Sequence, residues 1–181
     1  MSSARQTELL EAAYRYALAN GLADVSLRPL AAAIGSSPRV LIYLFGSKEG
    51  LVRALLARAR EDELRFLRDG GGPLGLMSAA ERVWAWLAAE EHRPLLRLWV
   101  EAYARSLVEP GGAWAGFAET TVRDWLGFLA AAEPDGPDRS VRHTLVLAVL
   151  RGGLLDLLAT GEEQRVTAAV RHQLDLLIDT R

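Results

Sequence analysis

Four side chains between residues 28 and 48 are the best candidates for specific chemistry in this 181-residue sequence. Arg28, Arg39 and Tyr43 occupy positions that helical periodicity turns away from a core, and Lys48 begins the next predicted helix. Arginine can donate two hydrogen bonds to guanine O6 and N7, while tyrosine and lysine can bind phosphate oxygens. These residue types and spacings indicate contact with duplex DNA.

Two short predicted helices position these side chains. The first begins after Ser26, and the second begins at Pro38, directly after the N-cap candidate Ser37, and ends at Gly46. Short helices joined at a glycine, here Gly35, are typical of a helix-turn-helix, whose second helix enters the major groove. The inward positions are apolar: Leu30, Ala31, Ile34, Leu41 and Phe45.

The remainder of the sequence predicts further helices and no strands, so the expected fold class is all-α. Apolar residues recur at helical spacing from residue 3 to 20, from 48 to 69, from 78 to 92 and from 94 towards Pro110. The pattern resumes from 114 to the loop at 133–138, from 141 to 159 and from 162 onwards. We therefore expect a three-helix N-terminal head followed by a C-terminal helical bundle.

Several kinds of catalytic or metal site are excluded or disfavoured. The sequence has no cysteine, which excludes disulfides, thiolate zinc sites and a cysteine nucleophile. His92, His143 and His172 are far apart and outside any metal-binding motif, so no metal and no cofactor are expected. Residues 70–75 match a dinucleotide-binding pattern by letter, but they follow a predicted helix and are interpreted as a linker. We expect no enzymatic activity.

Charge and hydropathy favour a cytoplasmic protein. Residues 1–50 hold five basic and four acidic groups in a chain of net charge −2, which predicts modest and salt-dependent DNA affinity. No signal peptide is expected from the charged first 20 residues. The most apolar stretch, 141–158, is interrupted by Arg142, Arg151 and Asp156, which makes it a poor membrane span.

The stretch 26–51, SLRPLAAAIGSSPRVLIYLFGSKEGL, resembles the DNA-binding head of TetR-type bacterial transcriptional regulators. The FGSKE segment at 45–49 is its most specific part, because it joins the recognition helix to the next helix with the family's lysine in place. The resemblance implies a DNA-binding domain over 1–47 and an effector-binding and dimerisation domain over 48–181. It also implies a homodimer that binds an operator in double-stranded DNA.

Carried over position by position, the resemblance implies a set of DNA contacts: Arg28, Ser37, Pro38, Arg39, Val40, Tyr43 and Lys48. Pro38, Arg39 and Val40 would face base edges, and Lys48 a phosphate. Ile42 stands where a tyrosine is frequent and Leu44 where a histidine is frequent, so the weight of recognition moves to Arg39 and Tyr43.

Large aromatic residues concentrate between residues 84 and 128, as expected of a pocket between bundle helices. The candidates for an effector pocket are Trp84, Trp99, Tyr103, Phe117 and Trp125. Their apolar surroundings predict an apolar or aromatic small molecule. The alternative interpretation is that these side chains form the core of the bundle.

The apolar C-terminal helices predict a dimer interface. Gly152 and Gly153 in mid-helix suggest close backbone approach across that interface, or alternatively a kink in a core helix. The interface candidates are Val149, Gly153, Leu157, Val170, Leu174 and Leu177.

Two functions follow from the sequence. The first is a dimeric, ligand-responsive transcriptional regulator, most often a repressor in this family, that releases a palindromic operator when a small molecule binds. The alternative is an all-helical small-molecule-binding or interaction protein whose head binds DNA weakly or without specificity.

Overall fold

A computed structural model describes residues 2–22, 26–69, 75–109, 111–133 and 138–178. These residues form helices and connecting turns without a strand, so the expected all-α class is confirmed. The helices are α1 Ser2–Asn20, α2 Leu27–Ala33, α3 Pro38–Phe45, α4 Lys48–Asp69, α5 Leu76–Ala88, α6 Arg93–Val108, α7 Phe117–Ala132, α8 Arg139–Thr160 and α9 Glu163–Ile178. Short 3-10 turns cover Glu90–His92 and Gly112–Trp114. The linker predicted at 70–75 lies outside the described residues except for Gly75, as does most of the loop predicted at 133–138.

The chain divides into two compact units whose limits differ from the predicted domains. The first unit contains Met1–Arg65 and Pro94–Glu119, and the second contains Phe66–Arg93 and Thr120–Arg181. α4 therefore contributes to both, and α6 belongs with the N-terminal helices. The functional division at residue 47 stays a prediction.

The core of the first unit contains residues from the four helices α1, α2, α3 and α4 and from one face of α6. Leu30, Leu41, Leu55 and Leu98 are buried together in it. Burying apolar side chains from several helices in one cluster is the main stabilising contribution to such a unit. The core fixes the inner faces of α2 and α3, so their outer faces are left to solvent.

In the second unit, α5, α8 and α9 pack against one another. Trp84 of α5 is 2% exposed and its indole Nε1 donates a 3.1 Å hydrogen bond to Thr167 Oγ1 of α9. A Cβ at Gly153 of α8 would lie 2.5 Å from Val170 Cγ2 and 3.0 Å from the Trp84 ring. The close approach predicted at the double glycine is therefore made within one chain.

Among the described helices, α8 is the one long and apolar enough to cross a bilayer by length and composition. The core helix of a soluble protein passes the same test. A third of the apolar window of α8 is buried within the chain, and Val146, Leu150 and Leu154 belong to this packed face.

Candidate nucleic-acid interface

The turn between α2 and α3 has the geometry of a helix-turn-helix. Gly35 adopts a φ of +64°, a conformation that glycine takes without steric cost. The N–H of Ser36 donates a 2.8 Å hydrogen bond to the Ala31 carbonyl, which closes the end of α2 and redirects the chain. The sequence prediction of two short helices joined at Gly35 agrees with this arrangement.

Helix α3 presents one buried and one exposed face. Ser37 caps it by accepting a 3.3 Å hydrogen bond from the N–H of Val40, and Pro38 occupies its first position. Leu41 is fully buried, whereas Tyr43 is 82% exposed and Arg39 and Val40 are also exposed. An apolar inner face thus holds a short helix whose outer face is free for a partner.

The junction between α3 and α4 is tightly built. Gly46 has a φ of +81° and its N–H donates to the Ile42 carbonyl at 2.8 Å, while Ser47 Oγ accepts from the N–H of Gly50 at 3.0 Å. A Cβ at Gly50 would collide with the Phe45 carbonyl oxygen, so glycine is required there. Lys48 is exposed at the first position of α4.

Contacts from α1 that sequence patterns did not indicate hold the recognition helix in place. Gln6 Nε2 donates a 2.9 Å hydrogen bond to the carbonyl of Leu44, at the end of α3. Because carbonyls in the last turn of a helix have no partner within the helix, this bond satisfies one of them. No periodicity or motif in the sequence identifies a contact 38 residues apart.

A polar network joins α1 to α4. Arg58 donates to Glu11 Oε1 and Asp62 Oδ1, each at 2.6 Å, and Tyr14 donates to Asp62 Oδ2 at 2.9 Å. Burial and the hydrogen bond to Asp62 raise the pKa of the Tyr14 hydroxyl, and the hydrogen bond to Glu11 raises the pKa of Arg58. The network therefore joins α1 to the middle of α4.

Helix α6 is tied to the end of α1 through one carboxylate. Glu101 accepts the N–H of Leu22 at 2.9 Å and 3.2 Å through its two oxygens. Gly21, at φ +79°, leaves room for this carboxylate, since a Cβ there would lie 3.1 Å from Glu101 Oε2. A movement of α6 would therefore act directly on the end of α1.

The predicted pocket residues fall into both units. Trp99, Tyr103 and Phe117 belong to the first unit, where the Trp99 and Tyr103 rings stack at 5.0 Å and the buried Trp99 Nε1 lacks a hydrogen-bond partner among the described residues. Trp84 and Trp125 belong to the second unit, and both are buried there. Their role in a pocket stays a prediction.

The second unit also contains a cluster of aromatic rings of which Trp125 alone is among the predicted pocket residues. Trp86 stacks between Phe66, at 4.8 Å, and His92, at 4.6 Å. Trp125 lies 6.3 Å from both Phe66 and Trp86, and Phe128 lies 6.3 Å from Phe66. We call these five residues the aromatic cluster. Apart from Trp125 its members are partly exposed.

The three histidines have separate environments. His92 Nδ1 bonds the Trp86 carbonyl at 2.8 Å, and the buried His143 Nε2 lies 2.8 Å from Glu133 Oε2. His172 is exposed on α9. Within the described parts of the chain, no group of three or more histidine and carboxylate side chains is placed to hold a metal ion.

Four of the predicted dimer residues lie on faces that are packed within the chain. Leu157, Val170 and Leu174 are buried within the chain, and Gly153 faces Trp84 and Val170. They face inward because α5, α8 and α9 pack against one another, and their place in a dimer stays a prediction. Val149 and Leu177 are partly exposed and stay predictions.

An all-helical chain with an exposed recognition helix on a three-helix head defines the class of helix-turn-helix regulators. Residues 9–55 match the family described as bacterial regulatory proteins of the tetR family. Residues 9–55 therefore carry the sequence signature of the TetR family, as the 26–51 stretch predicted, and the family is described as one of regulatory proteins rather than enzymes.

Comparisons over a longer part of the chain agree. The HTH-type transcriptional regulator BetI of Rhizobium meliloti (strain 1021) is 32% identical over 130 residues, covering 59% of this chain and 62% of BetI, so the match spans less than two thirds of that relative. A TetR regulator from Haloarcula marismortui has the same fold, with a TM-score of 0.77 at 17% identity over 98% and 97% of the two chains. The multidrug-binding protein EbrR, complexed with imidazole, gives a TM-score of 0.71 at 25% identity over 96% and 89%.

Proposed function

We propose that the chain is a dimeric, ligand-responsive transcriptional repressor that binds a palindromic operator through α3 and releases it when a small aromatic molecule binds. The observation that carries the proposal is the exposed outer face of α3, with Arg39, Val40 and Tyr43, on a head whose inner face is buried. The TetR match over residues 9–55 supports it.

Recognition in this proposal combines polar and apolar contacts. Arg39 binds a base edge in the major groove, Lys48 binds a phosphate, and Tyr43 binds either. Ile42 is exposed on α3, so it offers an apolar contact to a thymine methyl group in place of the family's frequent tyrosine. Leu44 makes its contribution through its carbonyl, which Gln6 binds.

Arg39→Ala and Lys48→Ala are expected to weaken DNA binding in different ways. Arg39→Ala should cost about 1–3 kcal/mol on the operator and relax the preference at one base pair, whereas Lys48→Ala should weaken all duplexes alike and reduce the salt slope by about 1. The measurement is fluorescence anisotropy on the DNA upstream of the gene and on random duplex, at several salt concentrations.

Arg171→Ala, on the exposed surface of α9, is the matched control and should bind like the unaltered protein. Equal losses on operator and random DNA would remove the base-reading role from Arg39. Failure of the unaltered protein to prefer any upstream sequence would favour the alternative function, a helical ligand-binding protein with a weakened head.

The dimer interface in this proposal is formed by the residues of α8 that the chain leaves exposed. Spaced three or four residues apart, they lie along one face of the helix, which we call the α8 stripe: Val141, Leu145, Ala148, Gly152, Leu155 and Ala159. A Cβ at Gly152 would meet nothing within 4 Å, so the backbone there is open to a partner helix. Two such faces related by a two-fold axis would place two heads on one palindrome.

The effector in this proposal is a flat aromatic molecule that binds at the aromatic cluster of the second unit. Stacked rings that keep part of their surface exposed offer faces on which another ring can pack. The structures of EbrR with proflavin and with ethidium support this class of ligand. Phe66 belongs to α4, the helix that begins beside the recognition helix, which provides a physical connection to the head.

Proflavin is expected to quench tryptophan fluorescence and to weaken operator binding by about 1–3 kcal/mol. Trp86→Leu removes the central ring of the stack and should lower proflavin affinity roughly tenfold. Trp99→Phe, in the first unit, is the matched control and should leave it unchanged. If Trp99→Phe lowered proflavin affinity and Trp86→Leu did not, the effector would bind at the Trp99 and Tyr103 pair instead.

A further inference from the structure

A cleft of about 260 Å³ lies within the first unit, at the point where α4 begins. Leu22 and Val52 form buried apolar parts of its wall, and Trp114 of the 3-10 turn forms a partly buried one. A Cβ at Gly111 or Gly112, which also line the cleft, would meet nothing within 4 Å. The cleft is therefore open at this turn and has room for a single ring.

Four charged side chains line the same cleft, and their two carboxylates are already engaged. Glu109 accepts a 2.6 Å hydrogen bond from Arg105, and hydrogen bonds from its own backbone N–H and from Ser47 lower the pKa of Glu49. Arg105 uses one of its five N–H donors in that pair. Lys48 is exposed and attracts the neighbouring Glu49 without a hydrogen bond to the described residues, so its ammonium donors are left available at the mouth of the cleft.

We propose that this cleft binds a small monocarboxylic acid with an aromatic body, its carboxylate held by Lys48 and Arg105 and its ring against Trp114 and Val52. A carboxylate suits the two cations because charge-assisted hydrogen bonds are stronger than neutral ones. The volume is below that of pockets for drug-sized ligands, which begin at about 300 Å³, so a single-ring acid is the fitting size.

Occupancy of the cleft competes with DNA, because Lys48 serves both. This consequence rests on the proposed function, in which Lys48 binds a phosphate of the operator. The cleft is separate from the aromatic cluster, which belongs to the second unit. The protein would thus respond to an acid that binds in the first unit, without a signal from the second unit.

Lys48 is the single lysine in the sequence, which makes a direct test available. Reductive methylation with ¹³C-formaldehyde retains its charge and gives one lysine methyl signal, distinct from that of the terminal amine. We expect titration with 4-nitrobenzoate to shift this signal and to quench Trp114 fluorescence. The neutral analogue 4-nitrobenzamide should bind at least about tenfold more weakly.

Arg105→Gln is expected to weaken 4-nitrobenzoate binding about tenfold. Arg97→Gln, an exposed arginine on the same helix outside the cleft, is the matched control and should not change it. Trp114→Phe should remove most of the quenching and keep the methyl shift. An unmoved Lys48 signal, equal binding of the amide, or equal affinity of the Arg105→Gln variant would each overturn the proposal.

The competition is measured separately, by operator binding in the presence of the probe. The operator dissociation constant should rise in proportion to occupancy of the cleft, and 4-nitrobenzamide at the same concentration should not raise it. If the protein bound no DNA in the absence of probe, the proposed function would be wrong. The methyl shift would still test whether the cleft binds the acid. A methyl shift without any effect on DNA binding would overturn the competition.

Discussion

Leu155→Glu is expected to convert the proposed dimer to a monomer and to lower operator affinity about 100-fold or more, because one head no longer holds the other at its half-site. Leu155 is 52% exposed in the middle of the α8 stripe, so the substitution leaves the core of the second unit unchanged. At a two-fold interface each partner would contribute the new carboxylate, and burying unpaired like charges is costly.

The test is sedimentation equilibrium for the oligomeric state together with fluorescence anisotropy for operator binding. Leu107→Glu is the matched control: Leu107 is 66% exposed on α6, outside the α8 stripe, and its replacement should leave a dimer. If Leu155→Glu remained dimeric, the α8 stripe would not be the interface. A monomer with full operator affinity would refute the requirement for two heads.

The head was predictable from sequence because its signals are local. Ser37, Pro38 and Gly46 define the ends of α3 through capping and glycine conformations that involve residues close in the chain. The apolar spacing around Leu41 identifies its buried face without knowledge of any other helix. The sequence did not indicate the long-range hydrogen bonds of the head. These are the bond from the Gln6 side chain to the Leu44 carbonyl and the bond from the Leu22 N–H to Glu101.

The body of the chain was less predictable because helix α8 is apolar nearly all round. Periodicity identifies a helix but does not assign a face to a neighbour when two faces are apolar. The sequence pattern does not distinguish Leu157 from Leu155, yet Leu157 is buried within the chain and Leu155 is exposed. The aromatic cluster could not be predicted for a similar reason. Phe66, Trp86 and Phe128 lie on separate helices, and their rings meet only when these helices pack.

Gly153→Ala is expected to lower the free energy of unfolding by about 1–3 kcal/mol, the usual cost of overpacking a filled core. The added Cβ would lie 2.5 Å from Val170 Cγ2 and 3.0–3.1 Å from two Trp84 ring atoms. Neither neighbour can move away easily, because Trp84 is buried and bonded to Thr167, and Val170 is buried on α9.

The matched control is Gly127→Ala on α7, where a Cβ would meet nothing within 4 Å. There alanine should stabilise the helix by about 0.8–1.0 kcal/mol. Both variants are compared by urea unfolding at one protein concentration, so that any dimerisation contributes equally. Equal effects at the two glycines would contradict the close approach at Gly153.

A second substitution separates a clash from a loss of helix flexibility. Val170→Ala removes the methyl group nearest to the new Cβ, so the double variant Gly153→Ala, Val170→Ala should be less destabilised than the sum of the two single variants. Simple additivity would mean that Gly153 acts through the backbone of α8 alone. A favourable interaction energy would instead place the origin of the effect in the packing of α8 against α9, the contact that turns Leu157 and Leu174 inward and leaves the α8 stripe for a partner.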